Sequence, residues 1–344
     1  TAREGIIVQI TTERGISGIG EIAPLPAFGG ASLADACALL PALAARLCGK
    51  SLDEALELVH AGSKTGTEAA FAFSAPALCG MEIALLDAIG KAEGCGVCTL
   101  LSPPGTAPRA SVAVNAVIGA GATEAAREAR KNGYRCVKLK ASLGGSIQEE
   151  VERVAAVRDA IGPDTHLRLD ANEAWNLEEA IAFLSQCVPY NIQYVEQPLK
   201  AHDLAGMRAL RQAVPIPIAV DEALHSLESA QLILDNEAAD VLVIKPQLAG
   251  GLRAGQQIIE AAAERGTPCV ITSTIEAGIG LTAALHLAAA SPAVTLECGL
   301  ATLHLLVDDL VTNDLPVRDG LLTVPTGPGL GIELDREALR RNKL

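Results

Sequence analysis

The sequence is poor in aromatic residues and in positive charge. Its 344 residues include only four Phe, three Tyr and one Trp, and 27 Lys and Arg against 41 Asp and Glu give a formal net charge of −14. Proteins that bind nucleic acids use clustered Lys and Arg to contact phosphates and aromatic rings to stack on bases. The composition therefore argues against a nucleic acid partner. It also predicts a core of Ala, Leu, Ile and Val.

The sequence also lacks a disulfide framework and an obvious membrane segment. Its nine cysteines are scattered and odd in number, and Cys95-Gly-Val-Cys98 is the only CxxC. This pattern is typical of reduced, buried thiols, and the six histidines show no metal-binding spacing. The longest stretch without Asp, Glu, Lys or Arg, Ala277–Leu296, is interrupted by Ser291-Pro292 and predicts a buried helix followed by a strand. We therefore expect a cytoplasmic protein that does not enter a membrane.

The chain changes its pattern near residue 108. Residues 1–107 begin with a predicted hairpin, Gly5–Thr12 and Ile16–Ile22, followed by the loop Ala23–Gly30 and by Ala- and Leu-rich helices. We expect an α+β capping domain here, completed by residues 321–344, where the chain becomes strand-like again.

Residues 108–320 alternate short β-rich runs with helical patterns. Such alternation predicts parallel strands joined by right-handed crossovers, and eight strands can close a (β/α) barrel. We therefore predict an α/β fold, a modified TIM-type barrel of the (β/α)7β kind, with an open doubly wound sheet as the alternative. The predicted strands are Val112–Val117, Cys136–Lys140, His166–Asp170, Ile192–Glu196, Ile216–Asp221, Val241–Lys245, Cys269–Thr272 and Val294–Glu297.

Five consecutive strands end in a charged residue, at spacings of 30, 26, 25 and 24 residues, which is one βα unit each. The carboxyl ends of barrel strands meet at one mouth, so we expect these five side chains to share a site. They are Lys140, Asp170, Glu196, Asp221 and Lys245.

The three acidic strand ends predict a metal site. Carboxylates this close repel one another and raise each other's pKa unless a cation lies between them. Oxygen ligands favour Mg²⁺, for which Mn²⁺ is a substitute. The alternative is that each carboxylate pairs with a neighbouring lysine or caps the next helix. The regular spacing of Asp170, Glu196 and Asp221 favours the metal.

The lysines predict a base. Lys138 and Lys140 are two residues apart on one strand, so both side chains face the barrel mouth, and Lys245 arrives from the opposite wall. A second lysine and a divalent cation lower the pKa of a lysine, as a general base requires. We therefore expect abstraction of a proton next to the carboxylate of a small substrate, giving an enediolate that the metal stabilises.

Five motifs in order resemble the enolase superfamily and, within it, the muconate-lactonising-enzyme-like subgroup with its K-x-K motif. The resemblance covers nearly the whole chain. It implies that Lys140 is the base, Lys138 its electrostatic neighbour and Lys245 the cationic partner across the site, with Mg²⁺ held by the three acids. The motifs are Val137–Lys140, Leu167–Asn172, Tyr194–Leu199, Ile218–Glu222 and Val243–Pro246.

Within the subgroup, further stretches resemble the o-succinylbenzoate synthase family. They are Arg3–Val8, Gly20–Pro26, Gly250-Gly251, Thr272–Gly280, Glu297–Thr302 and Asp308–Leu310. This resemblance implies loss of water from a cyclohexadiene hydroxy-carboxylate with a succinyl chain, in quinone biosynthesis. The chain departs from this family at two points. No strand is predicted before the one at Gly5, and Thr272 stands where related synthases often have Ser. Dipeptide epimerases carry a D-x-D at the last strand, which is missing here, whereas N-succinylamino-acid racemases share the scaffold and stay open.

Two further groups of residues complete the predicted site. Arg168, Asn172 and Glu222 are expected to lie behind the metal ligands and orient them. Phe28, in a loop with two Pro and two Gly, is expected to cover the substrate ring, and the alternative is an ordinary surface loop. The synthase-like stretches add substrate-binding candidates at Gly250, Ser273 and Thr274.

A function of another class stays open, namely a non-catalytic barrel that only binds an acidic metabolite. Intact Lys140 and Lys245 argue against it, since binding alone does not require a base on each side. The expected partner is a small carboxylate substrate, and the sequence leaves homo-oligomerisation open.

Overall fold

The computed structural model describes residues 3–28, 31–62, 74–141 and 144–343. The chain begins with the predicted hairpin, whose strands β1 (Ile6–Thr11) and β2 (Ser17–Ile22) pair antiparallel with Ile6 opposite Ile22. Gly15 has φ +80° in the turn, where its N–H donates to Thr12 O at 2.9 Å. A glycine accepts this backbone conformation without strain.

Helices follow the hairpin, and the first three share an apolar cluster with it. They are α1 (Leu33–Leu47), α2 (Leu52–Gly62), α3 (Ala75–Glu93) and α4 (Val97–Leu101). Strand β2 lies directly on α3, because a Cβ added at Gly18 would be 2.0 Å from Ala84 O and one added at Gly20 would be 2.0 Å from Gly80 O. Glycines therefore permit a backbone contact that any side chain would prevent.

The second region contains a parallel sheet of seven strands in chain order, which confirms the predicted α/β barrel class. Strand β3 (Ser111–Ala113) precedes this sheet and is not part of it. The seven strands are β4 (Ala116–Ile118), β5 (Cys136–Lys140), β6 (His166–Asp170), β7 (Ile192–Glu196), β8 (Ile218–Val220), β9 (Val241–Ile244) and β10 (Cys269–Ile271). The helices between and after them are α5 (Ala122–Lys131), α6 (Ile147–Ile161), α7 (Leu177–Cys187), α8 (Leu204–Ala213), α9 (Leu227–Asp235), α10 (Pro246–Ala249), α11 (Leu252–Glu264) and α12 (Gly278–Ala290).

Two strand predictions need correction. The expected eighth strand, Val294–Glu297, does not form, and the chain just after it makes single parallel bridges, Cys298 with Val114 and Gly299 with Thr272. These bridges join the two edges of the sheet, so a short bridge region takes the place of a strand. The predicted run Val112–Val117 divides into β3 and β4 for the same reason, since Val114 and Asn115 between them pair with residue 298 instead.

Side chains alternate between the two faces of the barrel strands. Those that point outward, such as Leu139, Leu169 and Ile244, join the large core beneath the helices. A smaller apolar cluster fills the barrel interior and includes Tyr194 and Val243. The charged strand residues belong to this inward set, as the spacing of two residues predicts.

The carboxyl-terminal segment returns to the start of the barrel and to the amino-terminal helices. Its elements are β11 (Val317–Arg318), β12 (Leu321–Thr323) and α13 (Arg336–Arg341). Strand β12 pairs antiparallel with β3, while Gly329 exchanges backbone hydrogen bonds with Cys95 and Val97 beside α3 and α4. The domain boundaries at residues 107/108 and 320/321 stay predictions.

Carboxylates from the amino-terminal region cap two barrel helices, which fixes how the two parts pack. Neither α11 nor α12 has a side-chain cap from its own N-cap residue. Instead, Glu21 accepts from Ala277 N and Gly280 N, each at 2.8 Å, and Glu82 accepts from the first backbone N–H groups of α11. Each carboxylate also meets the positive end of the helix dipole. No helix in the described ranges has the length and apolar composition needed to cross a bilayer.

Candidate active site

The structure brings all five charged strand ends and Lys138 together at the carboxyl end of the sheet. Strand register places Lys140 opposite Asp170 and Asp170 opposite Glu196. Asp221 and Lys245 follow directly after β8 and β9, the next two strands of the sheet. The predicted convergence is therefore observed, with Lys140 and Lys245 on strands separated by three others.

Lysine ammonium groups bond each of the three carboxylates. Lys138 Nζ lies 2.7 Å from Glu196 Oε1 and 3.1 Å from Asp170 Oδ2. Lys140 Nζ donates to the same Asp170 oxygen at 2.6 Å, and Lys245 Nζ donates to Asp221 Oδ2 at 2.6 Å. The site thus pairs three lysines with three carboxylates.

The pKa values follow from how many lysines each carboxylate contacts. Burial raises the pKa of Asp170, but two ammonium groups outweigh burial and hold it at about 2. Burial and the neighbouring carboxylates raise the pKa of Glu196 to about 7 against one opposing lysine. Burial likewise raises the pKa of Asp221, and Lys245 only partly opposes it. Additional positive charge would therefore stabilise the ionised forms of Glu196 and Asp221 more than that of Asp170.

Two carboxylates determine the protonation state of Lys138. Burial lowers the pKa of its ammonium group, but Asp170 and Glu196 outweigh burial and raise the pKa well above its ordinary value. Lys138 is therefore protonated, and it supplies fixed positive charge beside Lys140. The side chain of Lys140 is 33% exposed against 10% for Lys138 and 5% for Lys245, so Lys140 is the lysine that a substrate reaches most directly.

The acidic oxygens fit a hard cation. Among the described residues, Glu196 Oε2 and Asp221 Oδ1 are buried and have no hydrogen-bond partner. Such oxygens are costly unless a ligand satisfies them. In the same ranges no three His, Cys, Asp or Glu side chains are already arranged around a metal position, since lysines lie against the carboxylates instead. The residues supply the donor chemistry for Mg²⁺, and the lysine pairing that the sequence left as an alternative is also present.

Asn172 and Glu222 extend the cluster behind Lys140. Asn172 Oδ1 accepts from Lys140 Nζ at 2.7 Å, and its Nδ2 donates to Glu222 Oε1 at 3.0 Å. The backbone N–H of Asn172 donates to Asp170 Oδ1 at 3.2 Å. Asn172 adopts φ +43°, a left-handed conformation that Asn tolerates better than most residues. These contacts hold the Lys140 ammonium group from two sides.

Arg168 lies deeper in the barrel than the predicted role requires. It donates to Gln193 Oε1 at 2.6 Å and to Glu297 Oε2 at 2.9 Å, and its guanidinium carbon is 4.7 Å from the Tyr194 ring centroid. Its side-chain hydrogen bonds therefore go to residues other than the three carboxylates. Arg168 supports the interior beneath Lys138 and Glu196.

The four substrate-binding candidates are placed differently. The Phe28 ring lies over Lys245, with Nζ 4.2 Å from the ring centroid, which is cation–π range. Ser273 Oγ is 2.7 Å from Thr302 Oγ1, whereas the buried Thr274 donates its hydroxyl to Glu276 Oε1 at 2.8 Å. Gly250 follows the last residue of α10 with φ +95°, and a Cβ added to it would lie 4.0 Å from Ala75 Cβ of α3. Phe28 is thus the candidate in direct contact with a site lysine.

Sequence reasoning missed Gln197 as a contributor to this site. Its fully buried side chain accepts from Asp221 N at 3.0 Å and from Ala223 N at 3.2 Å, and it donates to Leu199 O at 2.9 Å. It therefore fixes the backbone that carries Asp221. The feature of the sequence that could have indicated this role is the position of Gln197, directly after the strand-end acid Glu196.

Two family models match the chain. The model described as "Mandelate racemase / muconate lactonizing enzyme, N-terminal domain" matches residues 2–102, and "Enolase C-terminal domain-like" matches residues 121–338. The chain therefore belongs to the enolase superfamily, in its muconate-lactonising-enzyme-like subgroup, and is an enzyme of that superfamily. Members of this superfamily generally use Mg²⁺.

Individual relatives have several activities. The chain is 40% identical to o-succinylbenzoate synthase of Thermobifida fusca over 218 residues, which are 63% of this chain and 67% of that protein. It is 29% identical to muconate cycloisomerase 1 of Rhodococcus opacus, across 99% of this chain and 91% of that one. The crystal structure of N-succinyl Arg/Lys racemase from Bacillus cereus superposes with a TM-score of 0.87 at 26% identity, covering 98% of this chain and 90% of that chain.

Proposed function

We propose that this protein is an o-succinylbenzoate synthase. The reaction removes water from 2-succinyl-6-hydroxy-2,4-cyclohexadiene-1-carboxylate and gives the aromatic product 2-succinylbenzoate. The observation that carries the proposal is the pair of lysines, Lys140 and Lys245, on opposite sides of one carboxylate cluster, with an aromatic ring already resting on Lys245. The 40% identity to the Thermobifida fusca synthase supports it.

Lys140 is the proposed base and acid. Its Nζ takes the proton from the carbon next to the substrate carboxylate, and the electron pair of that C–H bond is delocalised into the carboxylate and ring as an enediolate. The same electron pair then forms the ring double bond as the C–OH bond breaks. The resulting Lys140 ammonium returns the same proton to the departing hydroxide, so that water leaves and Lys140 regains its initial protonation state. Asp170 and Asn172, both within 2.7 Å of Nζ, hold the amine in place for both transfers.

Lys245 is the proposed stabiliser of the negative charge that develops on the ring. Its ammonium group already faces the Phe28 ring at 4.2 Å, and a planar anionic ring beside it would interact with it more strongly. Lys138 keeps positive charge beside Lys140, through its contacts with Glu196 and Asp170. Mg²⁺ or Mn²⁺ held by Asp170, Glu196 and Asp221 would supply electrostatic stabilisation to the substrate carboxylate.

The test is turnover of the synthase substrate by purified protein with Mg²⁺, followed by absorbance of the aromatic product. We expect Lys140→Ala to abolish turnover and Lys131→Ala, an exposed lysine on α5, to leave it unchanged. Wild-type protein without turnover, or a Lys140→Ala variant that retains it, would refute the proposal.

The second candidate is an N-succinylamino-acid racemase. The structural similarity to the Bacillus cereus racemase favours it, and so does the placement of a lysine on each side of the cluster, because racemisation requires proton transfer on both faces. Deuterium incorporation at the α-carbon of N-succinylamino acids in D₂O measures this activity. Exchange without dehydration would favour the racemase over the synthase.

A further inference from the structure

The guanidinium group of Arg3 joins two loops that are more than 200 residues apart in sequence. Toward the first loop, Nη1 donates to Pro24 O at 2.6 Å and Nη2 donates to Ala23 O at 2.5 Å. Toward the second, Nε donates to Ile275 O at 3.2 Å and Nη2 also donates to Thr274 O at 3.3 Å. A planar guanidinium group with five N–H donors can bond two backbones at once, whereas a lysine ammonium cannot present the same fork.

The first loop carries the aromatic ring of the candidate site. It runs from Ala23 to a short 3₁₀ turn, Pro26–Phe28, where the Phe28 N–H donates to Leu25 O at 2.9 Å. The Phe28 ring at the end of this turn covers Lys245. The position of the root of the loop therefore sets where the ring lies above the lysine.

The second loop follows β10 and contains a strained residue. Ile275 has φ +62°, which is a rare and strained conformation for a β-branched residue. Such a conformation persists only where surrounding contacts fix it. The contacts here are the Arg3 bond to Ile275 O and the Ser273 hydroxyl, which accepts from Ile275 N at 3.2 Å.

The charge around Arg3 strengthens this junction. The buried carboxylates of Glu21 and Glu276 interact electrostatically with the guanidinium group. Glu21 binds the start of α12 through Ala277 N, and Glu276 binds Thr274 through its N–H and its hydroxyl, at 2.8 Å in each case. Both acids thus hold the chain immediately around the strained residue, and Arg3 connects that segment to the Phe28 loop.

We propose that Arg3 is a positioning residue that fixes the Phe28 loop and the Ser273–Glu276 loop relative to each other. Arg3 thereby determines the shape of the substrate pocket on the side opposite Lys140. The identity of the substrate rests on the proposed function, whereas the coupling of the two loops does not. Within the described part of the chain, the side-chain hydrogen bonds of Arg3 go to backbone carbonyls of these loops and of Glu4, which lie outside the lysine–carboxylate cluster.

The kinetic test compares Arg3→Ala, Arg3→Lys and the control Arg14→Ala, which removes an exposed arginine in the β1–β2 turn. We expect Arg3→Ala to raise the KM for the synthase substrate about tenfold, with kcat within about threefold of the wild-type value. The reason is that the substrate is placed less well while the proton-transfer groups are intact. Arg3→Lys should behave like Arg3→Ala. Full rescue by lysine, or a loss in kcat alone, would overturn the proposal.

The second test needs no substrate and therefore separates this proposal from the proposed function. Amide hydrogen exchange of wild type and Arg3→Ala is followed by mass spectrometry over residues 23–28 and 272–277. We expect faster exchange in both segments together, with the barrel helices unchanged and with Arg14→Ala like wild type. Faster exchange in only one segment, in neither, or throughout the protein would overturn the proposal. If wild type does not turn over the synthase substrate but both segments exchange faster in Arg3→Ala, the synthase assignment is refuted and the proposal for Arg3 stands.

Discussion

Glu82 is expected to contribute strongly to stability although it lies outside the candidate site. It is buried on α3, and its two oxygens accept from Leu252 N and Arg253 N at the start of α11, the second of these bonds at 3.0 Å. Hydrogen bonds to a charged group are worth about 1.5 to 3 kcal/mol each, and an N-cap replacement costs up to about 2 kcal/mol. We expect Glu82→Ala to lower the free energy of unfolding by about 3 to 5 kcal/mol, since both N–H groups lose their acceptor.

The matched variant is Glu82→Gln, which keeps the size and one acceptor oxygen and should cost about 1 to 2 kcal/mol. Urea unfolding followed by circular dichroism measures the difference. With an m-value of about 3 kcal/mol per M, Glu82→Ala should lower the midpoint by about 1 M or more. The control is Glu228→Ala, an exposed acid in the first turn of α9, with an expected change below about 0.5 kcal/mol.

Gly251 provides an independent check on the same contact. It has φ +135°, and a Cβ added there would lie 2.0 Å from Glu82 Oε2. Gly251→Ala should therefore destabilise the protein by displacing the carboxylate, and its effect should not add fully to that of Glu82→Ala. Additive effects of the two substitutions, or a Glu82→Ala cost below about 1 kcal/mol, would refute the reasoning.

Three further outcomes are expected. Gly20→Ala should destabilise or unfold the protein in a thermal melt because its Cβ would strike Gly80 O, whereas Gly119→Ala, with no heavy atom within 4 Å of the added Cβ, should melt like wild type. Burial lowers the pKa of His286, so the folded protein resists a proton that the unfolded chain accepts. The unfolding free energy of wild type relative to a His286→Gln variant, measured by urea unfolding, should therefore fall below about pH 6.5, and a difference that does not change with pH would contradict this. Mg²⁺ should raise the wild-type melting temperature relative to EDTA but not that of Asp221→Asn, and equal shifts would place the cation elsewhere.

The strands that carry the candidate site are the elements best predicted from the sequence. Observed β5, β6 and β7 have the predicted bounds, and the charged residue at each end faces inward as expected. Local information suffices here because apolar residues that alternate with inward residues define both the strand and its faces. Helices α6 and α7 likewise begin at a local signal, a reciprocal capping box at Ser146 or Asn176.

The closing segment of the barrel was predicted wrongly for a physical reason. Val294–Glu297 has the composition of a strand, but its neighbours Cys298 and Gly299 make only isolated bridges with residues 114 and 272. Whether an apolar run forms a strand at the seam of a barrel depends on the positions of the two edges it must join. Local composition carries no information about those positions.

The sequence by itself determined which charged strand residues enter the site, because strand periodicity and the spacing of one βα unit are local properties of the chain. Only the tertiary structure decided how those side chains interact. Lys138 is protonated because it lies between Asp170 and Glu196, acids 32 and 58 residues away along the chain. The bonds from Arg3 to Ile275 and from Glu82 to α11 span still longer separations. Such contacts arise when packing brings distant backbone groups within hydrogen-bond distance, and no local pattern encodes that distance.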